Sequence, residues 1–249
     1  MDNKQVALVS GANKGIGLQI AKDLVAKGFT VLVGSRHLEN GKLAVNDIGE
    51  GAHALQLDVT DQHSITAAAE HIEQEYGRLD VLINNAGISH AGRSDGDFPE
   101  SVQSGLLTVA PMEDIRVVFE TNVFGVIALT QAMLPLLHQS PAGRIVNIGS
   151  SGGSLTWNSN PDNPHRAMFG TYSSSKSALH AITLAFAFAL ESTPIKVNIA
   201  CPGFTSTALN NFAGTRSVEE GAREAVRLAM LGSDGPTGTF SDENGTVAW

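Results

Sequence analysis

The sequence predicts one α/β domain over residues 1–249, a doubly wound parallel sheet in three layers with helices on both faces. Short apolar segments alternate with segments of helical periodicity along the chain, an order typical of strand–helix–strand units with parallel strands. The apolar segments show no clean alternation of polar and apolar residues, so we expect helices to cover both faces of the sheet. A glycine-rich turn follows the first of these segments.

Each element is placed by its periodicity and its end residues. Six segments rich in β-branched residues and leucine predict strands at 6–9, 31–33, 54–57, 81–83, 145–148 and 197–200. Helices are predicted at 17–27, 64–76, 115–138, 173–191 and 217–231, the last opening with a capping box of Ser217 and Glu220. Two stretches rich in Gly, Pro, Ser, Asn and Asp, 89–111 and 152–171, are interpreted as inserted loops at the carboxyl edge of the sheet.

The composition excludes several classes of protein. Apolar residues make up 42% and charged residues 16%, with 26 glycines, which argues against a disordered or coiled-coil chain. A single cysteine, a polar N-terminus and a longest charge-free apolar run of only 178–190 predict a cytoplasmic protein without a signal peptide or membrane span. The net charge of −9, with 16 cations spread along the chain, argues against a nucleic-acid partner.

The turn after the first strand has the features of a dinucleotide site. Residues 10–17 read SGANKGIG, which spaces the glycines as Gly11-x-x-x-Gly15-Ile16-Gly17. Glycines let the backbone turn tightly and approach a pyrophosphate, whose charge lies against the N-terminus of the next helix. That interpretation makes the fold a Rossmann fold. Glycine-rich turns between strand and helix also occur for steric reasons alone, so the loop by itself leaves both interpretations open.

The ends of the second and third strands bear on which dinucleotide binds. NAD sites usually place a carboxylate after the second strand, but this chain reads Val-Gly-Ser-Arg36 there. Arg36 and Lys14 offer two cations to a 2′-phosphate, which favours NADP(H), unless both are ordinary solvated charges. Asp58, after the third strand, is a candidate acceptor for the adenine amino group, with a helix N-cap as the alternative.

A tyrosine and a lysine one helical turn apart are the candidate acid–base pair. The chain has two tyrosines; Tyr76 ends a helix and is interpreted as a packing residue. Tyr172 and Lys176 lie on the same helix face, after a strand that ends in IVNIGSSG at 145–152. A phenol titrates near pH ~10, so we expect the Lys176 ammonium to lower the pKa of Tyr172.

Taken together, these elements resemble the short-chain dehydrogenase/reductase family in its single-domain form, closest to its NADPH-dependent carbonyl reductases. The matching elements occur in family order over nearly the whole chain: the Gly11–Gly17 loop, Asp58-Val59, Asn84-Asn85-Ala86-Gly87, Asn122, Ser150, Tyr172-x-x-x-Lys176 and Pro202-Gly203. Asn13-Lys14 in the glycine loop and Pro-Thr-Gly near 237 carry the likeness to the carbonyl reductases.

The resemblance implies a catalytic set of Asn122, Ser150, Tyr172 and Lys176. Tyr172 would donate a proton to a carbonyl oxygen that receives hydride, and Ser150 would hydrogen-bond that oxygen as an oxyanion-hole donor does. Lys176 would hydrogen-bond the nicotinamide ribose, and Asn122 would hold a water that relays protons to Lys176. The family's usual spacing points to Ser159; we prefer Ser150 because it ends the strand motif.

The resemblance also implies the cofactor contacts and NADP(H) as the cofactor. Asn85 and its neighbours would support the sheet and approach the adenosine ribose, whereas Pro202, Gly203 and Thr207 would contact the nicotinamide end. The implied cofactor-binding residues are Gly11, Asn13, Lys14, Gly15, Ile16, Gly17, Arg36, Asp58, Val59, Asn85, Ala86, Gly87, Tyr172, Lys176, Pro202, Gly203 and Thr207.

The function expected from these residues is reversible reduction of an aldehyde or ketone to an alcohol with NADPH. Two alternatives stay open: an epimerase or dehydratase of the family's extended branch, and a non-catalytic NADP(H) sensor. The inserted loops are expected to set the substrate, with Trp157, His165, Met168 and Phe169 either lining the site or packing the loop.

The remaining expectations concern metals, the cysteine and assembly. The histidines show no metal-ligand spacing, so no metal is expected, and Cys201 is interpreted as a small buried hydrophobe. The helices at 115–138 and 173–191 are apolar on more than one face, which predicts a homodimer or homotetramer. The alternative is a monomer whose 152–171 stretch covers the second face.

Overall fold

The sheet has the strand order of a doubly wound fold. The computed structural model describes residues 4–91 and 98–249, and in it eight strands are ordered β3-β2-β1-β4-β5-β6-β7-β8. All pair in parallel except β8, which is antiparallel to β7. The order of the first six is that of two mononucleotide-binding halves, which confirms the predicted single α/β domain with a Rossmann fold. The strands are β1 Val6–Val9, β2 Thr30–Ser35, β3 Ala52–Gln56, β4 Val81–Asn84, β5 Arg144–Ile148, β6 Lys196–Ala200, β7 Phe240–Asp242 and β8 Gly245–Thr246.

Helices cover both faces of this sheet. One apolar core joins the sheet to α1, α2 and α9, and a second joins its other face to α3, α6 and α8. The predicted helix 115–138 is two helices, α5 and α6, joined by a π-helical turn at Glu120–Phe124. The helices are α1 Gly15–Ala26, α2 Leu38–Ile48, α3 Gln62–Tyr76, α4 Phe98–Ser104, α5 Met112–Phe119, α6 Gly125–Leu137, α7 Leu155–Ser159, α8 Thr171–Ala189 and α9 Val218–Ala229.

Four elements differ from the sequence prediction. Helix α2 was not predicted because Asn40-Gly41 is typical of a turn; Gly41 is instead buried in the helix, and a Cβ there would lie 3.4 Å from Ser35 Cβ. The short strands β7 and β8 have too few residues to show a periodicity. Strand β3 is not covered on both faces as expected, because it is the sheet edge and exposes His53 and Gln56.

The stretches 89–111 and 152–171, interpreted from the sequence as inserted loops, each contain a short helix. The first contains α4, although residues 92–97 lie outside the described part of the chain, and the second contains α7. Ser154 caps α7 by accepting a hydrogen bond from the N–H of Trp157. The two stretches contact each other, since the N–H and hydroxyl of Thr171 both donate to the carbonyl of Gly105, at 2.8 and 2.9 Å.

The segment Met112–Leu137 is the one stretch of the described residues that is long and apolar enough to cross a membrane. That test rests on length and composition alone, and core helices pass it too. Here the segment includes α6, whose Leu129 and Met133 belong to the apolar core. It was not singled out from the sequence because charged residues occur near its start.

A row of buried polar side chains crosses the middle of the fold. Asn84 Nδ2 on β4 donates to Thr130 Oγ1 on α6 and to Asn147 Oδ1 on β5, at 3.0 and 2.7 Å. Asn147 Nδ2 donates in turn to Thr183 Oγ1 on α8, at 2.8 Å. Buried polar groups are costly unless they are paired, so this row fixes how α8 lies on the sheet.

One apolar face of the helices on this side is left uncovered by the described residues. Val117, Phe124 and Phe188 expose 45%, 54% and 69% of their surface. The 152–171 stretch therefore does not cover these side chains, which was the monomer alternative.

Candidate active site

The side chain of one asparagine, Asn85, holds the backbone of the glycine loop. Gly11 and Gly15 have φ values of +64° and +58°, a region that favours glycine. Asn85 Nδ2 donates to the carbonyls of Ser10 and Gly11, at 2.9 and 3.1 Å. A Cβ on Gly17 would clash with that same amide nitrogen. The side chain of Asn85 therefore holds the loop, a role that the expected approach to the adenosine ribose did not anticipate.

The start of α1 fits an anionic ligand. Its N-cap residue, Lys14, makes no side-chain capping bond, so the first amides of the helix are left without a side-chain acceptor. These amides and the helix dipole attract a phosphate group. The residues present therefore fit the pyrophosphate of a dinucleotide.

Lys14 and Arg36 lie on adjacent segments at this end of the sheet. The N–H of Ala12 donates to the carbonyl of Gly34 at 2.9 Å, and each cation is two residues beyond that bond. Both side chains are exposed, and neither makes an ion pair within residues 4–91 and 98–249. Two uncommitted cations beside the loop suit an additional phosphate.

Asp58 is not the N-cap of α3. Its Oδ1 accepts from the N–H and the hydroxyl of Thr60, at 3.0 and 2.7 Å. The cap is Asp61, which accepts from the N–H of His63 at 3.0 Å. The next residue, Val59, packs closely on Gly125. A Cβ added to Gly125 would lie 2.7 Å from the Val59 carbonyl oxygen.

Ser150 lies beside Tyr172 at the carboxyl end of β5. Burial raises the pKa of Tyr172 to about 12, and the nearby Ser150 side chain acts in the opposite direction. Ser150 follows β5 directly, and its Oγ also accepts from the N–H of Gly152 at 3.1 Å. Ser159, the alternative, is exposed on α7 and donates to the Thr156 carbonyl. The geometry thus brings Ser150, and not Ser159, to the tyrosine.

Lys176 lies one turn further along α8 and is buried, whereas Tyr172 is half-buried. Its Nζ donates to the carbonyl of Ile148 at 2.7 Å and lies 5.7 Å from the centre of the Tyr172 ring. Burial lowers the pKa of Lys176 to about 8. The Tyr172 pKa is raised by desolvation, and the group that lowers it is Ser150 and not Lys176, so the expected lowering by Lys176 is not seen here.

Asn122 lies in the π-helical turn between α5 and α6. Its Oδ1 accepts from the N–H of Ile88 at 2.9 Å, and its Nδ2 donates to the Ile88 carbonyl and to Ser175 Oγ, at 2.8 and 3.0 Å. A Cβ on Gly87 would lie 3.3 Å from Asn122 Oδ1 and 3.6 Å from Lys176 Nζ. The Asn122 side chain thus holds two segments of the site together. This is an additional role beside the water relay that was expected of Asn122.

The segment from Pro202 to Arg216 crosses towards the glycine loop. The Thr207 side chain lies 3.6 Å from where a Cβ on Gly15 would be, so it lies beside the glycine loop, a contact that the expected role at the nicotinamide end did not include. Gly203 has a φ of +69°, and a Cβ there would meet the Arg216 side chain. Ser89 Oγ donates to the carbonyl of Leu209 at 2.8 Å, which ties this segment to the one that follows β4.

Four polar residues of the site were not identified from the sequence. Ser10 Oγ accepts from the amides of Asn85 and Ala86, at 3.0 and 3.1 Å. Ser89 and Ser175 make the bonds just described, and His180 accepts from the N–H of Ser150 at 3.4 Å. Their spacing along the chain gives no signal, since each bond joins segments far apart in sequence.

Large apolar side chains stand exposed on α7, which follows Ser150 along the chain. Leu155 and Trp157 expose 61% and 52% of their surface. Phe212, whose N–H donates to the Thr207 carbonyl, exposes 68%. Of the other candidate lining residues, Met168 and His165 are exposed and Phe169 is half-buried.

Within the described residues, no group of three or more His, Cys, Asp or Glu could hold a metal. Cys201 is buried, and its Sγ accepts from the N–H of Ser151 at 3.3 Å. Burial raises the pKa of its thiol, so it is not a thiolate nucleophile at neutral pH.

A dinucleotide-binding loop and a Ser–Tyr–Lys group at the carboxyl edge of a Rossmann sheet define a class of nicotinamide-dependent oxidoreductases. Residues 5–217 match the family described as short chain dehydrogenase, and the chain belongs to that family. It is 37% identical over 240 residues to short-chain dehydrogenase anuI of Penicillium roqueforti, covering 92% of this chain and 90% of that protein. It is 32% identical to (-)-isopiperitenone reductase of Mentha piperita, covering 98% of each.

A solved structure shows the same fold. Salutaridine reductase from Papaver somniferum superposes with a TM-score of 0.79 at 30% identity, covering 95% of this chain and 99% of that one. The family recognised from the sequence is thereby confirmed. Its members are oxidoreductases that bind a nicotinamide cofactor and act on small molecules.

Proposed function

We propose that this chain is an NADP(H)-dependent carbonyl reductase that converts an uncharged, apolar ketone or aldehyde to the alcohol, reversibly. The observation that carries the proposal is the placement of Ser150 beside the Tyr172 phenol, whose pKa the Ser150 side chain lowers, with Lys176 buried one turn away. These groups lie at the carboxyl edge of the sheet, where doubly wound folds bind their ligands.

The proposed roles follow from the protonation states. With a pKa of about 12, Tyr172 holds its proton at neutral pH and can donate it to a carbonyl oxygen. Ser150 hydrogen-bonds the same oxygen and stabilises the charge that develops there. When bound, NADPH supplies the hydride. Lys176 keeps an ammonium beside the phenol below pH about 8. Asn122 acts by fixing Ile88 and Ser175 around this pair.

The proposed cofactor site uses backbone groups and two cations. The turn of Gly11, Gly15 and Gly17 and the uncapped start of α1 hold the pyrophosphate. Arg36 and Lys14 bind the 2′-phosphate, which supports NADP(H) over NAD(H) because a charge-assisted bond contributes about 1.5–3 kcal/mol. The other proposed contacts are Asn13, Ile16, Asp58, Val59, Asn85, Ala86, Gly87, Tyr172, Lys176, Pro202, Gly203 and Thr207.

The substrate class is supported by exposed large apolar side chains on the segments that follow Ser150 and Thr207. These side chains are Leu155 and Trp157 on α7, after Ser150, and Phe212, whose N–H donates to the Thr207 carbonyl. The relatives isopiperitenone reductase and salutaridine reductase match 98% and 95% of this chain, respectively. Their names support reduction as the working direction. We further propose a cytoplasmic homodimer or homotetramer.

The alternative functions have less support. An extended-branch epimerase or dehydratase needs a further substrate domain, whereas the isopiperitenone reductase aligns along 98% of both chains. A sensor has no need of the Ser150–Tyr172–Lys176 group, which is intact here.

A coupled assay tests the proposal. We expect purified protein to consume NADPH with at least one apolar cyclic ketone and to leave charged keto acids unreduced. Binding of NADPH in a calorimeter without turnover of any ketone or aldehyde in a broad panel would instead identify a sensor. Turnover that is faster with keto acids would contradict the substrate class.

A further inference from the structure

A buried histidine contacts the backbone of Ser150. His180 lies on α8 one turn beyond Lys176 and exposes 3% of its surface. Its Nε2 accepts from the N–H of Ser150, with 3.4 Å between the nitrogens. The ring also approaches the preceding residue so closely that a Cβ on Gly149 would lie 2.8 Å from Nε2. The imidazole therefore lies directly against the turn that presents the Ser150 hydroxyl.

The environment of His180 keeps its ring neutral and in place. The ring packs against Phe240 and Trp249, with centroids 4.4 and 6.2 Å away. Burial, together with the positive charge of Lys176, lowers the pKa of His180 to about 4, so Nε2 keeps its lone pair at working pH. Nδ1 has no hydrogen-bond partner among the described residues.

An unpaired buried nitrogen is a cost that an apolar side chain in the same pocket would avoid. A leucine at this position would make no side-chain hydrogen bond. Among the described residues, the hydrogen bond that the histidine makes in its place is the one to the Ser150 amide. Ser150 Oγ accepts from the N–H of Gly152, and the Ser150 side chain is close enough to lower the pKa of Tyr172. A shift of the Ser150 backbone would therefore move its hydroxyl away from the phenol.

We propose that His180 is a positioning residue, which fixes the backbone amide of Ser150 and so holds the Ser150 hydroxyl against Tyr172. This inference rests on the proposed reductase function for its effect on turnover. The hydrogen bond between His180 and the Ser150 amide does not depend on that function, so it can be tested without any substrate.

The test compares variants that keep or remove the acceptor. His180→Leu fills the pocket with an apolar side chain and removes the hydrogen-bond acceptor. His180→Gln can instead place an amide oxygen near the position of Nε2. We expect His180→Leu to lower kcat at least tenfold with the Kd for NADPH within twofold of wild type, and His180→Gln to recover kcat to within threefold. For alcohol oxidation, the kinetic pKa should rise in His180→Leu, because a bond that lowers the Tyr172 pKa is lost.

A matched control separates positioning from packing. Phe240→Leu removes a ring that packs on His180 and keeps the acceptor, so we expect a lower Tm, kcat within twofold and an unchanged kinetic pKa. If His180→Leu does not fold, His180→Asn, whose shorter side chain falls short of Nε2, is compared with His180→Gln. Equal kcat for the acceptor-keeping and acceptor-lacking variants, or an equal loss in Phe240→Leu, would overturn the proposal.

Hydrogen exchange at the Ser150 amide makes the two proposals separable. Exchange at this amide should be at least tenfold faster in His180→Leu than in His180→Gln or Phe240→Leu, whether or not any ketone is reduced. Equal exchange in all three would overturn the positioning role. A wild-type protein with a protected Ser150 amide and no reductase activity would overturn the proposed function alone.

Discussion

The glycine-loop end and the Tyr172 end of the site use opposite physical means. At the loop, side chains such as Asn85 and Ser10 bond the loop's own backbone, and the cations Lys14 and Arg36 stand exposed. At the other end, Tyr172 is half-buried and Lys176 is buried, and desolvation shifts both pKa values. In the proposed function, one end would bind the cofactor by shape and exposed charge, and the other would set the chemistry by desolvation.

This difference shows why substitutions at the two ends should have different signatures. A change at the loop alters the affinity for a cofactor, since it changes a surface that the ligand covers. A change at the buried end alters the protonation state or position of a reacting group, so it alters kcat. The following predictions test that division, from the largest expected effect to the smallest.

Tyr172→Phe should lose at least a hundredfold in kcat, a barrier increase of about 2.7 kcal/mol. The proton donor is removed while the ring keeps its packing. The Kd for NADPH, measured by calorimetry, should stay within threefold. Tyr76→Phe is the matched control and should retain wild-type kcat; a Tyr172→Phe enzyme with more than a tenth of wild-type kcat would contradict the role.

Gly17→Ala should weaken NADPH binding at least tenfold and lower the Tm, because its Cβ would clash with the Asn85 amide that holds the loop. Gly41→Ala is the control, since a Cβ at that helical position meets its neighbours at 3.4 Å or more. Calorimetry and thermal unfolding check both variants. Wild-type affinity in Gly17→Ala would show that the loop tolerates a side chain.

Replacing Lys14 and Arg36 together by alanine should cut the preference for NADPH over NADH at least tenfold, judged by kcat/KM. The loss should fall on NADPH alone, because a 2′-hydroxyl gains little from the cations. Lys4 and Lys27, exposed cations elsewhere, give the control double variant. Equal kcat/KM for the two cofactors in the wild type would refute the assignment.

The rate of ketone reduction should be constant from pH 6 to about 7.5 and fall above pH about 8. Tyr172 stays protonated over this whole range, since its pKa is raised to about 12, whereas Lys176 loses its charge above about 8. Lys176→Arg keeps its charge at any working pH and should remove the alkaline decline. A decline of the same size in Lys176→Arg would show that the loss of rate above pH about 8 does not come from deprotonation of Lys176.

Phe188→Ser should leave kcat within twofold and change only the assembly. Phe188 exposes 69% of its surface on α8, and we expect a second copy to cover this face. Light scattering should give a multiple of 26.1 kDa for the wild type and a lower mass for the variant. A wild-type mass of 26.1 kDa at micromolar concentration would contradict the proposed oligomer.

The sequence predicted the doubly wound parallel sheet better than the contacts around the candidate site. Glycines 11, 15 and 17, Ser150, Tyr172 and Lys176 stand next to strand or helix ends that periodicity locates, so their meeting at one edge could be predicted. Helix α2 could not be predicted, because the turn preference of Asn40-Gly41 is overridden by the packing of Gly41 on β2. The bonds of Asn122, Ser89 and His180 join segments remote in sequence, which no local pattern encodes.

The buried row from Thr130 through Asn84 and Asn147 to Thr183 has a consequence for local opening. Segments of a protein open independently when few buried contacts tie them to the rest. Here α8 cannot lift from the sheet without breaking Asn147–Thr183 in an apolar interior, where the freed groups find no water. The helix that carries Tyr172 and Lys176 should therefore exchange its amide hydrogens only on global unfolding, so that the acid–base pair persists for as long as the molecule is folded.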